Sequence, residues 1–248
     1  MSKRTALVTG GTGGLGTAIC KSFAERGDIV VACHLPQEID QATKWQAELL
    51  EDGFTVNLIA ADVADFDQAQ TMITDIEKQF GWVDILVNCA GITRDSTLRK
   101  MTSEDWDAVL NVNLSSVFNV TRHVIEGMIE RGFGRIVNIS SVNGQRGQFG
   151  QTNYSAAKAG MHGFTMALAQ EAARKGVTVN SVSPGYIDTS MTAAIPEDIR
   201  TQIVSGIPVG RMGQPDDIAH TIAFLTDEKS SYITGANIPV NGGLFMSF

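Results

Sequence analysis

The sequence predicts a doubly wound α/β fold, one domain in which a seven-stranded parallel sheet carries helices on both faces. Two observations predict it. Short β-branched runs alternate along the chain with longer segments of helical period, the pattern of β-α-β units and a parallel sheet. No Pro- or Ser-rich linker, repeat or low-complexity stretch divides the 248 residues, a length that a single α/β domain commonly reaches.

In chain order, the β-rich runs place strands at 5–9, 28–33, 54–60, 83–88, 134–140, 177–183 and 236–240. The segments between them have the length and period of helices at 14–26, 38–52, 65–80, 103–131, 153–175 and 215–227. The stretch 103–131 reads as two helices or one bent helix, because Asn111 and Asn113 interrupt its middle. Crossovers between parallel strands are right-handed, and ligands in such a sheet sit at the carboxyl ends of the strands. The least regular part, 184–214, begins at Pro184-Gly185 and carries Met191, Pro196 and Pro208. It reads either as a mobile flap over the site or as a plain surface excursion.

Composition narrows the function classes. Apolar residues make up 43% and charged residues 19%, ordinary globular values that argue against disordered and fibrous chains. The net charge of −8, with no run of Lys or Arg, argues against a nucleic-acid partner. After Met1-Ser2-Lys3-Arg4 only Ala6-Leu7-Val8 precedes glycine, too little for a signal-peptide core. No stretch approaches the roughly 20 apolar residues that span a bilayer. No membrane association and a cytoplasmic location are therefore expected. Cys20, Cys33 and Cys89 lack CxxC spacing and His34, His123, His162 and His220 are scattered, so neither a disulfide framework nor a metal is expected.

Thr9-Gly10-Gly11-Thr12-Gly13-Gly14-Leu15-Gly16 follows the first strand and opens the first helix. Gly10 permits the turn, Gly14 lets backbone approach a pyrophosphate and Gly16 lets the helix pack near the strand, while the helix N-terminus attracts phosphate charge. Glycine turns also occur for backbone reasons alone, but after an N-terminal strand this one indicates a Rossmann-type dinucleotide site. Farther along, Tyr154-Ser155-Ala156-Ala157-Lys158 puts Tyr154 and Lys158 on one helical face. A free tyrosine has a pKa near 10. A neighbouring ammonium favours its phenolate, so Tyr154 could pass a proton to a substrate oxygen as hydride reaches the carbonyl carbon, while Lys158 also holds the nicotinamide ribose.

The loop has the spacing TGxxxGxG, and with Tyr-x-x-x-Lys it resembles the short-chain dehydrogenase/reductase superfamily. Several roles are implied by that resemblance. Asp62-Val63 would contact adenine, although Asp62 could instead cap the next helix. Asn88-Cys89-Ala90-Gly91 resembles the family's Asn-Asn-Ala-Gly element, with Cys89 in the second Asn position; Asn88 could also simply brace the central strand. Ser141 would hydrogen-bond the substrate carbonyl, with Ser140 pointing to the opposite face, and Asn113 would hold a water behind Lys158. Pro184-Gly185, Ile187 and Thr189 would meet the nicotinamide carboxamide. The catalytic set is then Asn113, Ser141, Tyr154 and Lys158.

A narrower resemblance concerns substrate. Asn138 to Glu171, with Val142-Asn143-Gly144-Gln145 and Gln148-Phe149-Gly150-Gln151-Thr152-Asn153, is similar to acetoacetyl-CoA reductases of polyhydroxybutyrate synthesis. That implies reduction of acetoacetyl-CoA to (R)-3-hydroxybutyryl-CoA by a cytoplasmic homotetramer, with Gln148, Phe149, Gln151 and Tyr186 lining the substrate pocket and Asp95 its entrance. Phe149 and Tyr186 suit a small apolar wall, and Gln148 and Gln151 suit carbonyl or pantetheine groups; all four could equally pack a loop. The family's arginine for CoA is absent from the flap, where Arg200 is the nearest substitute. A 3-oxoacyl-[acyl-carrier-protein] reductase is the alternative, but of its two basic docking positions one is Gly132 here and the other Lys175. A sugar or secondary-alcohol dehydrogenase would leave Gln148–Asn153 unexplained, and a dinucleotide sensor without turnover commonly lacks the tyrosine or lysine.

Cofactor choice turns on the end of the second strand. A 2′-phosphate normally demands Arg or Lys there, yet no basic side chain lies between Asp28 and Thr43; Lys44 is the first beyond. The end reads Cys33-His34-Leu35 with Glu38 as the nearest carboxylate, so NADH is favoured and NADPH remains possible.

Overall fold

The structure, a computed structural model, describes residues 3–189, 192 and 196–246. Met191 of the expected flap and the N-terminal Met1 and Ser2 lie outside the described residues. Seven strands form one parallel sheet in the order β3-β2-β1-β4-β5-β6-β7. They are β1 Thr5–Thr9, β2 Ile29–His34, β3 Asn57–Ala60, β4 Val83–Asn88, β5 Gly134–Ile139, β6 Val177–Pro184 and β7 Asn237–Val240. The helices are α1 Gly14–Arg26, α2 Ile39–Glu51, α3 Phe66–Phe80, α4 Ser103–Leu110, α5 Ser116–Arg131, α6 Val142–Arg146, α7 Thr152–Ala172, α8 Glu197–Ser205 and α9 Pro215–Leu225. Strand order reverses between β1 and β4, where a doubly wound sheet opens its ligand crevice.

The central strands read as continuous apolar or small-residue runs because helices cover both faces; every residue of β1, β5 and β6 is buried. Successive side chains alternate. Ala6 and Val8 join Ile19, Phe23, Ile85, Val87, Ile218 and Ile222 in one core layer. Leu7 joins Ile73, Ile76, Leu86, Val120, Ile136 and Val179 in the other.

The expected elements form, with α6 added in a stretch where none was expected and three further revisions. β3 starts at Asn57, not 54, because Phe54 N–H turns back to Leu49 O (2.8 Å) and the Asn57 amide donates to Val30 O (3.0 Å), which opens pairing at Val31 and Asn57. The stretch 103–131 is α4 and α5 joined through one π-helical turn, Asn111–Ser115, so the interruption at the asparagines is a widened turn. Part of 184–214 is regular after all, since α8 begins behind Pro196 with Glu197 and Asp198 in its first turn, a charge arrangement that suits a helix start.

Buried polar groups near the carboxyl ends are paired with one another. Asn88 Nδ2 donates to Asn138 Oδ1 (2.8 Å) and Thr121 Oγ1 (3.2 Å), and Asn138 Nδ2 donates to Thr165 Oγ1 (2.9 Å). Thr9 Oγ1 accepts from the backbone N–H of Cys89 and Ala90 (3.0 and 3.1 Å). This chain of bonds crosses β1, β4 and β5 and reaches α5 and α7, so it sets the level at which the strands stop. Asn88→Ala would leave a buried amide oxygen without its donor, a loss of about 1–3 kcal/mol. Urea denaturation should show that loss as a lower midpoint with an unchanged slope.

Candidate active site

At the switch point the glycine loop folds as the first helix requires. Gly10 adopts φ 62°, Gly13 stands at the N-cap of α1 without a side-chain cap, and no acidic residue occupies the first turn. The N-terminal N–H groups of α1 thus face a place suited to an anion. At Gly16 a Cβ would run into Gly10 O and lie 2.7 Å from Gly11 Cα, so the loop can fold onto the helix only because position 16 has no side chain.

A cleft of about 600 Å³ opens beside this loop. Of the residues expected to meet the cofactor, Gly10, Thr12, Gly13, Gly14, Leu15 and Gly16 form one wall and Asp62, Val63, Ala90, Gly91 and Thr189 also line the cleft, whereas Tyr154 and Lys158 stand outside the lining. Asn88 lies beneath the cleft in the polar chain described above. Pro184, Gly185 and Ile187 stand outside its lining, and Ile187 sinks its side chain into the core. Asp62 Oδ1 holds Ala64 N (2.9 Å), while the helix cap foreseen for Asp62 is supplied by Asp65, whose carboxylate accepts from Asp67 N and Gln68 N. Sequence reasoning missed Gln37, Gln41, Ala42, Ile92, Arg94 and Val112 as lining residues. Val112 had a usable signal, its place between Asn111 and Asn113; Gln41 had none short of knowing how α2 lies.

Tyr154 and Lys158 stand on α7, and Lys158 Nζ lies 5.5 Å from the Tyr154 ring centroid. The ammonium donates to Ile139 O (2.7 Å), at the end of β5. Ser141 leaves that strand as the N-cap of α6, its Oγ accepting from Asn143 N (3.1 Å). Ser140 turns the other way and donates to Lys158 O (2.8 Å), as strand alternation required. Asn113, in the π-helical turn, donates to Ile92 O and Val109 O (both 2.9 Å), and its buried Oδ1 has no protein partner. A Cβ on Gly91 would lie 2.6 Å from Asn113 Oδ1 and 3.5 Å from Lys158 Nζ, so glycine there lets the β4 turn, Asn113 and Lys158 converge. All four expected catalytic residues therefore gather at the carboxyl edge.

Desolvation shifts the proton affinities of two of them. Burial pushes the Tyr154 hydroxyl up to about 12; the Ser141 hydroxyl beside it pulls down, and Asp95 and Cys89 push up. Burial also brings Lys158 down to about 8, against a smaller contrary pull from Cys89. Desolvation is thus the largest influence at both groups, raising the proton affinity of the phenol and lowering that of the ammonium.

The residues expected around the substrate are only partly brought together. Gln151 spans Asp95 and Asn143, so both ends of its amide are engaged within the protein. Phe149 is 87% exposed. Gln148 is half-buried, and Tyr186 lines a separate recess of about 210 Å³ with Ile207, Val209, Arg211 and Asn241. Arg200 is held by Asp188 at 2.7 Å. Gly16→Ala should weaken NADH and NADPH binding alike by about tenfold or more, because the loop must shift to clear the new methyl; fluorescence titration of both dinucleotides measures it.

The chain matches the family described as short chain dehydrogenase over residues 4–200. It is 63% identical to an acetoacetyl-CoA reductase of Allochromatium vinosum over 98% of this chain and 99% of that one. It is 56% identical to an acetoacetyl-CoA reductase of Cupriavidus necator, covering 99% and 100%. A 3-oxoacyl-[acyl-carrier-protein] reductase of Thermotoga maritima is 45% identical over 97% of each chain. With the glycine loop, the cleft beside it and the Asn113, Ser141, Tyr154 and Lys158 group in place, the chain belongs to the short chain dehydrogenase family.

Proposed function

We propose that this chain is a nicotinamide-dependent acetoacetyl-CoA reductase giving (R)-3-hydroxybutyryl-CoA for polyhydroxybutyrate synthesis. The observation that carries the reductase reading is geometric: Tyr154, half-buried beside Ser141, has Lys158 Nζ 5.5 Å from its ring centroid, next to a cleft lined by the glycine loop. The substrate reading is supported by the names of the 63% and 56% identical relatives. When bound, the cofactor supplies the hydride. Ser141 receives the 3-keto oxygen and Tyr154 gives it a proton. Lys158 holds the nicotinamide ribose and carries replacement protons, with Asn113 Oδ1 anchoring a water behind it.

Gly10–Gly16 would hold the phosphates, Asp62 and Val63 the adenine, Asn88, Ala90 and Gly91 the strand-end contacts, and Pro184, Gly185, Ile187 and Thr189 the carboxamide. NADH is the favoured form. At the end of β2 the cleft is lined by His34, Leu35, Gln37, Glu38 and Gln41; its one Arg or Lys is Arg94, on the loop after β4, and Lys44 lies outside the lining. A 2′-phosphate would meet Glu38 with no cation to offset it. Asp95, Ser141, Gln148, Phe149, Gln151 and Tyr186 stand on the substrate side, with Asp95 and Gln151 acting through their contacts and Phe149 closing over the acyl group.

The protein is proposed to act in the cytoplasm as a homotetramer. Among the described residues no helix is long and apolar enough to cross a membrane. Phe118 on α5 and Met166 on α7 are 50% and 52% exposed, and Phe66 stacks on Phe118 at 5.9 Å, an apolar surface through which these two helices would pair across a subunit axis.

Initial rates with acetoacetyl-CoA should favour NADH over NADPH, and Tyr154→Phe should lower kcat by about a hundredfold to ten-thousandfold. Lack of turnover with either cofactor would overturn the substrate reading. The Lys158 ammonium is lost as pH rises through about 8, so kcat for reduction should fall above that pH, not below it. Phe118→Asp should split the tetramer, which light scattering reads as a lower mass.

A further inference from the structure

A chain of amide hydrogen bonds leads from the surface to the catalytic serine. Gln151 Nε2 donates to Asp95 Oδ2 (2.8 Å), and Asn143 Nδ2 donates to Gln151 Oε1 (2.9 Å). Asn143 N in turn donates to Ser141 Oγ (3.1 Å). The backbone holds the same path together. Ser96 N donates to Gly150 O (2.8 Å), with Ser96 and Gln151 in a short parallel bridge. Asn153, one residue before Tyr154, donates to Arg94 O (3.1 Å) and accepts from Tyr154 N (2.8 Å).

The direction of this chain follows from chemistry. A carboxylate only accepts, whereas each primary amide carries a donor end and an acceptor end. With Asp95 ionised, Gln151 must turn its NH2 to Asp95 and its carbonyl to Asn143, and Asn143 must answer with its own NH2. Asn143 Oδ1 is then left buried without a protein partner, an arrangement an amide would reverse if nothing imposed it. Gln151 is the N-cap residue of α7, yet its side chain makes no capping bond. It serves the link to Asp95 and Asn143 instead.

We propose that Asp95 is a positioning residue: its carboxylate sets the polarity of the Gln151 and Asn143 side-chain amides and so anchors residue 143, whose backbone N–H then stays on Ser141 Oγ and leaves the serine proton free to donate. The role goes beyond lining the substrate entrance, because it acts on kcat through Ser141 and needs no contact between Asp95 and substrate. It rests on the proposed reductase reading for its assay.

A charge-relocation cycle tests it. Asp95→Asn removes the imposed direction while keeping the size of the side chain, and Gln151→Glu sets two carboxylates against each other. In the double variant Asp95→Asn with Gln151→Glu, an amide at 95 donates to a carboxylate at 151, which accepts from Asn143 as before. Each single variant should lower kcat about tenfold with KM changed less than about twofold, and the double should recover most of that loss. NADH binding, followed by fluorescence, reports that each variant is folded. A loss confined to KM, unchanged kcat in Asp95→Asn, or a double variant no better than the worse single would overturn the proposal. If the wild-type chain itself did not reduce acetoacetyl-CoA, the failure would belong to the substrate reading, and the same cycle would be run on a simple 3-keto ester.

Discussion

Burial of a parallel sheet on both faces is the constraint from which the rest of this structure follows. Backbone polar groups inside it must pair along the ladder, and side chains inside it must be apolar or must find partners among themselves. Chemistry is therefore confined to the edge where the strands stop, and Asn88, Asn138, Thr121 and Thr165 mark that edge by satisfying one another. Three elements of the candidate site begin just beyond it: the glycine loop after β1, the Cys89–Gly91 turn after β4 and Ser141 after β5.

Sequence pattern reached the sheet and most helices because they rest on local signals, β-branched runs and helical period. It reached the placement of Tyr154, Lys158 and the glycine loop for a different reason: the first two share a helical face at fixed spacing, and the loop announces its own backbone needs. Where it fell short, the determinant was tertiary. That Asn57 opens the pairing of β3 depends on Val30 O lying within reach. That Gln151 is turned inward, away from a ligand, depends on Asp95 and Asn143 meeting it from two other segments. Desolvation at Tyr154 was out of reach as well, because charge partners can be counted in a sequence, whereas burial appears only after the chain has folded.

The site combines opposed requirements. Burial raises the proton affinity of the Tyr154 phenol and at the same time makes the neighbouring Lys158 ammonium easier to lose, so desolvation favours the neutral form of both groups. Holding Lys158 against Ile139 O and admitting Asn113 next to Gly91 uses backbone geometry where extra charged side chains would have been costly to bury.

The π-helical turn between α4 and α5 has a consequence for how this segment can change. It holds one residue more than an α-helical turn and absorbs that residue in its own width, so α4 and α5 each keep the phase in which they pack. Removing the extra residue would close the turn to an α-helical one and leave Val117, Val120, Val124 and Met128 buried where they are, while Asn113, which sits within the turn, would lose its place beside Gly91. Length in this segment is thus coupled to the geometry at Gly91 more than to packing: one residue fewer spares the helix and moves the asparagine.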